Sequence, residues 1–116
     1  MAQEIPLETR YLRLAARAWG PEDGIKVLAL HGWMDNAASF MPLARLLDRF
    51  YIVALDLPGH GRSDFRPAGA SYFHADYALD VAHAADALGL DSFILLGHSM
   101  GGGVATLVAA AIPERV

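Results

Sequence analysis

A serine between glycines is the residue best suited to covalent chemistry in this chain of 116 residues. Residues 97–101 read Gly-His-Ser-Met-Gly, with an apolar run before them and a run of small residues after them. A serine on a strained turn between a strand and a helix needs neighbours without a Cβ atom, because only then can the two elements close and the hydroxyl stand free. The first turn of the helix that follows the serine would direct its backbone N–H groups at the negative charge that develops on a reacting substrate. The pattern predicts that Ser99 is a nucleophile in acyl transfer; the alternative is a small turn residue.

A second segment, residues 31–33 (His-Gly-Trp), directly follows the apolar run at residues 25–30. Ligands bind at the carboxyl ends of parallel strands, so we expect this segment to lie beside Ser99. Its glycine would let the backbone turn there, and a free N–H of Trp33 could join that of Met100 in an oxyanion hole. The Trp33 side chain would either line an acyl pocket or cover the core.

A third segment, residues 56–64, follows the next apolar run and contains Pro-Gly-His-Gly. Its glycines and Asp56 are interpreted as structural. His98 is interpreted as a packing or hydrogen-bonding residue, because its side chain should leave the turn in another direction from that of Ser99. His31 is interpreted as a brace of its loop. The other three histidines lack metal-ligand spacing, so no metal is predicted: His60, His74 and His83.

The elements that must position these residues alternate between strands and helices. Residues 11–19 alternate apolar and polar side chains, which predicts a half-buried strand, whereas the continuous run at residues 25–30 predicts a central one. An order of β-α-β-α-β-α implies a parallel sheet with right-handed crossovers. The predicted strands are residues 4–7, 11–19, 25–30, 51–57 and 92–96, and the later predicted helices are residues 74–88, capped by Gly89, and 100–111, ended by Pro113.

The segment between the third and fourth predicted strands has a less regular helical pattern. Asp35 or Asn36 can cap a helix whose apolar residues recur at helical spacing as far as Phe50. Pro42 fits only in a first turn. Two short helices or one kinked helix would both satisfy the pattern.

Composition narrows the class of protein. The net charge is −4 and no basic run is present, which argues against a nucleic-acid partner. The absence of cysteine excludes a disulfide framework and a thiol nucleophile. The first ten residues lack the apolar segment of a signal peptide, so the expected location is cytoplasmic. Residues 93–112 carry no Asp, Glu, Lys or Arg, but their internal glycines favour a buried strand, a turn and a buried helix over a membrane span.

Three motifs, in this order, resemble the α/β-hydrolase superfamily: HGW-x-D-N after a strand, then DLPGHGRS, then GHSMGG. The segment HGWMDNAASF is most similar to the serine hydrolase-like branch of that superfamily. The resemblance spans nearly the whole chain, and it implies a doubly wound, mostly parallel sheet with strand order 1-2-4-3-5. It also implies two strands before the one at residues 25–30, in agreement with the patterns described above.

The resemblance implies a role for individual residues. Ser99 would be the nucleophile, and Trp33 and Met100 would donate their backbone N–H groups to the oxyanion. No cofactor is implied, and the implied partner is a small-molecule acyl substrate, with no membrane. The implied function is hydrolysis of a carboxylic ester or related acyl compound through an acyl-serine intermediate. The residues implied to support the site are His31, Gly32, Asp56 and His98.

The chain also departs from the family pattern. The family places its acid and its base histidine after the nucleophile, yet all five histidines here precede Ser99. We therefore expect one incomplete domain over residues 1–116, ending after the helix that follows Ser99. The alternative function is a non-catalytic fragment, or a partner that completes its sheet on another chain. Because the strands that follow it in the family are missing, the strand at residues 92–96 would be an open edge, which predicts self-association.

Overall fold

The computed structural model describes residues 2–116, which form one five-stranded sheet with helices on both faces. The strands are β1 (Gln3–Glu8), β2 (Arg13–Trp19), β3 (Ile25–Leu30), β4 (Phe50–Asp56) and β5 (Ile94–Gly97). A 3-10 helix (Ala37–Phe40) leads into α1 (Met41–Ala44), and the longer helices are α2 (His74–Ala87) and α3 (Met100–Ala111).

The strand order is β1-β2-β4-β3-β5, which confirms the order implied by the resemblance. β3 pairs in parallel with both β4 and β5, as the alternation of strands and helices predicts. β1 and β2 pair antiparallel, and β2 also pairs antiparallel with β4. The sheet is therefore mixed, and its parallel part is the part that carries the three motifs at its strand ends.

β3 lies at the centre of this parallel part and is covered on both faces. Leu28, Ala29 and Leu30 are fully buried. Leu28 and Leu30 face the core beneath α2 and α3, while Ala29 faces the smaller core beneath the 3-10 helix and α1. Because side chains alternate along a strand, a continuous apolar run is the pattern that burial on both faces requires.

The segment after β3 forms two short helices, one of the two predicted arrangements. Asn36 caps the 3-10 helix by accepting a hydrogen bond from the Ala38 N–H at 2.9 Å. The helical pattern ends at Ala44, and Phe50 instead begins β4, where it pairs with Ile25. An apolar side chain can serve either a helix face or a strand, and here pairing with β3 decided the outcome.

The uncharged stretch at residues 93–112 is divided between β5 and α3 by the turn at Ser99. In the part of the chain that the structure describes, no helix is both long enough and apolar enough to cross a membrane. β5 pairs only with β3 among these residues, and Ile94 is half exposed. Self-association through this edge stays a prediction.

Candidate active site

Ser99 lies at a sharp turn between β5 and α3. Its backbone has φ 54° and ψ −117°, and it is one of two non-glycine residues with positive φ in residues 2–116. Such a conformation costs on the order of 1–3 kcal/mol and persists only where the surrounding structure enforces it. Ser99 is exposed at the amino end of α3. The turn thus leaves Ser99 open to solvent, with the positive end of the α3 dipole beside it.

The glycines on either side of Ser99 allow the turn to close. A Cβ atom on Gly97 would lie 2.4 Å from the carbonyl oxygen of Gly101. A Cβ atom on Gly101 would lie 2.1 Å from the carbonyl oxygen of Leu30. Both distances are far below van der Waals contact, so the strand and the helix approach each other as closely as two glycines permit.

The loop after β3 lies directly against this turn. A Cβ atom on Gly32 would be 3.3 Å from the Cβ atom of Ser99. Gly32 therefore serves close approach, whereas the left-handed residue of the loop is Met34, with φ 61°. Trp33 N–H has no acceptor within residues 2–116, and Met100 is the first residue of α3, whose N–H has no acceptor inside the helix. Two candidate donors thus flank the surface of the turn.

His31 is fully buried at the base of this loop. Its Nε2 accepts a hydrogen bond from the Leu57 N–H at 3.0 Å, so Nδ1 carries the proton and donates to the Gly32 carbonyl at 2.7 Å. Burial lowers the pKa of the imidazole, outweighing the opposing effects of the Gly32 carbonyl and nearby carboxylates. His31 is therefore a neutral brace between two loops, and both of its nitrogens are engaged.

The lowered pKa of His31 predicts a pH-dependent stability. The unfolded chain binds this proton near pH 6.5, whereas the folded protein resists it until a lower pH. The contribution is complete above pH 6.5 and is lost as the pH falls from there, by at most about 1.4 kcal/mol per unit. Urea denaturation between pH 7.5 and 5 should show this loss.

The variant His31→Gln should flatten that slope. His83→Gln is the matched control: His83 lies on α2, where its imidazole packs beside the Tyr11 ring with centroids 5.7 Å apart. An unchanged slope in His31→Gln would contradict the assignment.

Asp56, at the end of β4, ties the neighbouring loops together. One carboxylate oxygen accepts the Ala37 N–H at 2.8 Å and the other accepts the Arg62 N–H at 3.0 Å. Its backbone carbonyl accepts the hydroxyl of Ser63, which in turn accepts the Ala15 N–H at 2.9 Å. Asp56 thus joins the 3-10 helix, β2 and the loop after β4, and it is buried.

His98 continues the pairing of β5 with β3. Its N–H donates to the Leu30 carbonyl at 3.0 Å, while its side chain is exposed. The imidazole lies close to Gly32, with Nδ1 at 3.5 Å from the position of a Cβ atom there. His98 therefore lies between the turn and the loop after β3.

Sequence reasoning gave no role to His60, which the structure places inside the same cluster. Its ring centroid is 4.9 Å from that of His31 and 5.4 Å from that of Trp33. His60 is almost fully buried despite being flanked by two glycines. The sequence did carry a signal for this placement: His60 follows the carboxyl end of a predicted strand, and the carboxyl ends of parallel strands meet at one edge of the sheet.

An apolar pocket opens beside the exposed Trp33 side chain. Its volume is about 190 Å³. A cavity of about 150 Å³ lined by apolar residues is large enough to hold benzene. The residues that line the pocket are Trp33, Met34, Gly59, His60, Phe65, Tyr72 and Tyr77.

Comparison with known proteins gives consistent matches. The model of the alpha/beta hydrolase fold family matches residues 26–116. A serine hydrolase-like protein of Danio rerio is 42% identical over 116 residues, covering 99% of this chain and 36% of the relative. A hypothetical protein of Pseudomonas aeruginosa is 52% identical with a TM-score of 0.94, covering 99% of this chain and 40% of that one.

A bacterial membrane phospholipase A, described as a virulence factor, is 38% identical with a TM-score of 0.94. The match covers 99% of this chain and 37% of the phospholipase. The chain thus spans little more than a third of the length of each of these similar proteins.

Proposed function

Because the chain belongs to the alpha/beta hydrolase fold family, we propose that it is part of a serine hydrolase that cleaves carboxylic esters or related acyl compounds. The observation that carries the proposal is Ser99, exposed at a left-handed turn between β5 and α3. That turn lies against the loop that holds the Trp33 N–H, which has no acceptor among residues 2–116. Residues 2–116 would form the first part of the hydrolase domain.

In the proposed reaction, the Ser99 Oγ attacks the substrate carbonyl carbon and its proton passes to a histidine base. The carbonyl oxygen becomes an oxyanion, and the N–H groups of Trp33 and Met100 donate hydrogen bonds to it. When this intermediate collapses, the histidine gives its proton to the leaving oxygen, so that an alcohol departs and an acyl-serine remains. Water then attacks the acyl-serine, giving a proton to the same histidine, which returns a proton to the Ser99 Oγ as the acid is released. Preorganised amides suit this step because they need no reorientation as the charge develops.

We propose that the base comes from the part of the protein corresponding to the remaining length of the relatives. In this fold the base follows the nucleophile in sequence, and residues 100–116 contain no histidine. His31 and His60, which lie in the neighbouring loops, have both ring nitrogens engaged in hydrogen bonds. Neither is therefore placed to accept a proton from Ser99.

The pocket beside Trp33 supports a substrate with an apolar group. Its volume of about 190 Å³ matches a group of roughly benzene size, and aromatic side chains form most of its wall. The similar protein described as a membrane phospholipase A carries the name of an enzyme that cleaves carboxylic esters of lipids, and a carboxylic ester is the bond proposed here. We propose an ester or thioester with an apolar acyl or leaving group.

A fluorophosphonate probe tests the nucleophile directly. The natural protein, including the part that we propose supplies the base, should form a covalent adduct that peptide mass spectrometry locates at Ser99. The variant Ser99→Ala should not form this adduct. Ser92→Ala is the matched control, because Ser92 is another exposed serine, on the opposite end of β5 and only seven positions before Ser99. An adduct at another residue, or none in a folded natural protein, would contradict the proposal.

A further inference from the structure

The loop after β3 and the loop after β4 are joined by two histidines in a reciprocal way. His31 belongs to the first loop and accepts the Leu57 N–H of the second at 3.0 Å. His60 belongs to the second loop and accepts the Met34 N–H of the first through Nε2 at 3.1 Å. The two imidazoles lie with their ring centroids 4.9 Å apart. Each loop therefore supplies an acceptor for an amide of the other.

These two histidines hold the two peptide planes on either side of Trp33. A trans peptide is planar, so its carbonyl and its N–H point in opposite directions. His31 Nδ1 and the Asp35 N–H both donate to the Gly32 carbonyl, at 2.7 and 3.3 Å. Anchoring that oxygen aims the Trp33 N–H to the opposite side of the same plane.

The second plane contains the Met34 N–H, which His60 accepts. Met34 is exposed, lies in no regular element and has φ 61°, a conformation that costs energy in a residue with a side chain. Two hydrogen bonds oppose relaxation of this strain: the Asp35 N–H on the Gly32 carbonyl, which closes the turn around Met34, and the Met34 N–H on His60, which ties the turn to the second loop. Relaxation at Met34 would rotate the adjoining plane and change the direction of the Trp33 backbone.

The His60 ring is itself held in place by hydrogen bonds and by packing. Because Nε2 accepts the Met34 N–H, Nδ1 carries the proton and donates to the Pro58 carbonyl at 3.1 Å. The ring is buried and packs edge-on against Trp33, with centroids 5.4 Å apart. Its nitrogens are thus both committed to backbone groups, which excludes a role as a free proton acceptor.

We propose that His60 is a positioning residue that keeps the Trp33 N–H directed at the oxyanion by accepting the hydrogen bond of the Met34 N–H. The inference rests on the proposed function, since it assigns the Trp33 N–H a reacting partner. A misplacement of about 1 Å at a reacting centre lowers turnover by about 10²-fold, similar to the loss of one oxyanion donor. That is the loss we expect without the His60 acceptor.

The test measures kcat and KM for an activated ester with the natural protein and three variants. His60→Leu removes the acceptor and should lower kcat by about 10²-fold with little change in KM. His60→Gln supplies a side-chain oxygen acceptor near the position of Nε2 and should recover most of that turnover. His83→Leu makes the same chemical change on the surface of α2 and should leave kcat unchanged.

The outcomes separate this inference from the proposed function. If the natural protein shows no turnover that depends on Ser99, the proposed function fails. If the natural protein is active and His60→Leu retains its kcat, or raises KM alone, His60 only lines the pocket and the inference is overturned.

A measurement on the natural protein covers the case in which His60→Leu fails to fold. Nitrogen-15 NMR of the imidazole at pH 7.5 should show Nδ1 protonated and Nε2 unprotonated for His60. A protonated Nε2 could not accept the Met34 N–H, and it would overturn the inference without any substitution.

Discussion

Replacing Ser99 with alanine should lower turnover of an activated ester by the natural protein by on the order of 10⁶-fold in kcat. The alanine variant lacks the oxygen that forms the acyl-enzyme, so only the oxyanion donors and substrate binding remain to accelerate hydrolysis by water. The backbone at Ser99 has positive φ, so the variant should be checked for folding by circular dichroism. A steady-state assay with p-nitrophenyl acetate then measures the loss.

A polypeptide of residues 1–116 alone should react about as slowly as the alanine variant of the natural protein. A serine hydroxyl is a weak nucleophile without a positioned base, and no histidine follows Ser99 in these residues. Turnover by this short polypeptide that disappears with Ser99→Ala would show that one of its own histidines acts as the base. His31 would be the first candidate, and its two hydrogen bonds would then have to open.

Replacing Gly101 with alanine should destabilise the fold by about 3 kcal/mol or more. The new Cβ atom would lie 2.1 Å from the carbonyl oxygen of Leu30 and 2.6 Å from that of His31. Both atoms belong to backbone at the end of the central strand, so neither can rotate away as a side chain could. Relief would require α3 to move off β3, which would also separate Ser99 from the loop that holds Trp33.

Gly102→Ala is the matched control for this prediction. Its Cβ atom would lie 3.6 Å from the Gly97 carbonyl oxygen, an ordinary contact, and alanine favours a helix over glycine by about 1 kcal/mol. Urea denaturation of the natural protein should rank the stabilities as Gly102→Ala, then the unmodified protein, then Gly101→Ala. Equal stability of the two variants would show that α3 does not press on β3 as described.

Much of the fold followed from local patterns. The third strand and the last helix have the predicted bounds, residues 25–30 and 100–111, because a continuous apolar run and a run closed by proline each have few alternatives. The end of α2 followed from Gly89, whose φ of 69° is the left-handed conformation expected after a helix. The turn at Ser99 was likewise predictable, since glycines at fixed positions around a small polar residue indicate a backbone with no room for Cβ atoms on either side.

Other features depended on residues far apart in sequence. Phe50 suited a helical spacing, but it begins β4 because its backbone pairs with Ile25. The antiparallel pairing of β2 with β4 was not specified by an alternating pattern, since period two is the same in either direction. Such pairings are decided when the whole sheet assembles.

The sequence by itself determined that Ser99 stands on a strained turn between a strand and a helix, because that geometry is set by the residue itself and its immediate neighbours. It also indicated which strand ends carry the supporting loops. The tertiary structure alone decided how those loops hold one another. His60 and Met34 are 26 positions apart, as are His31 and Leu57, and their hydrogen bonds exist only because β3 and β4 are parallel neighbours that end at the same edge. A hydrogen bond requires its two atoms within about 3 Å, and no local pattern encodes a distance between residues that only the assembled sheet brings together.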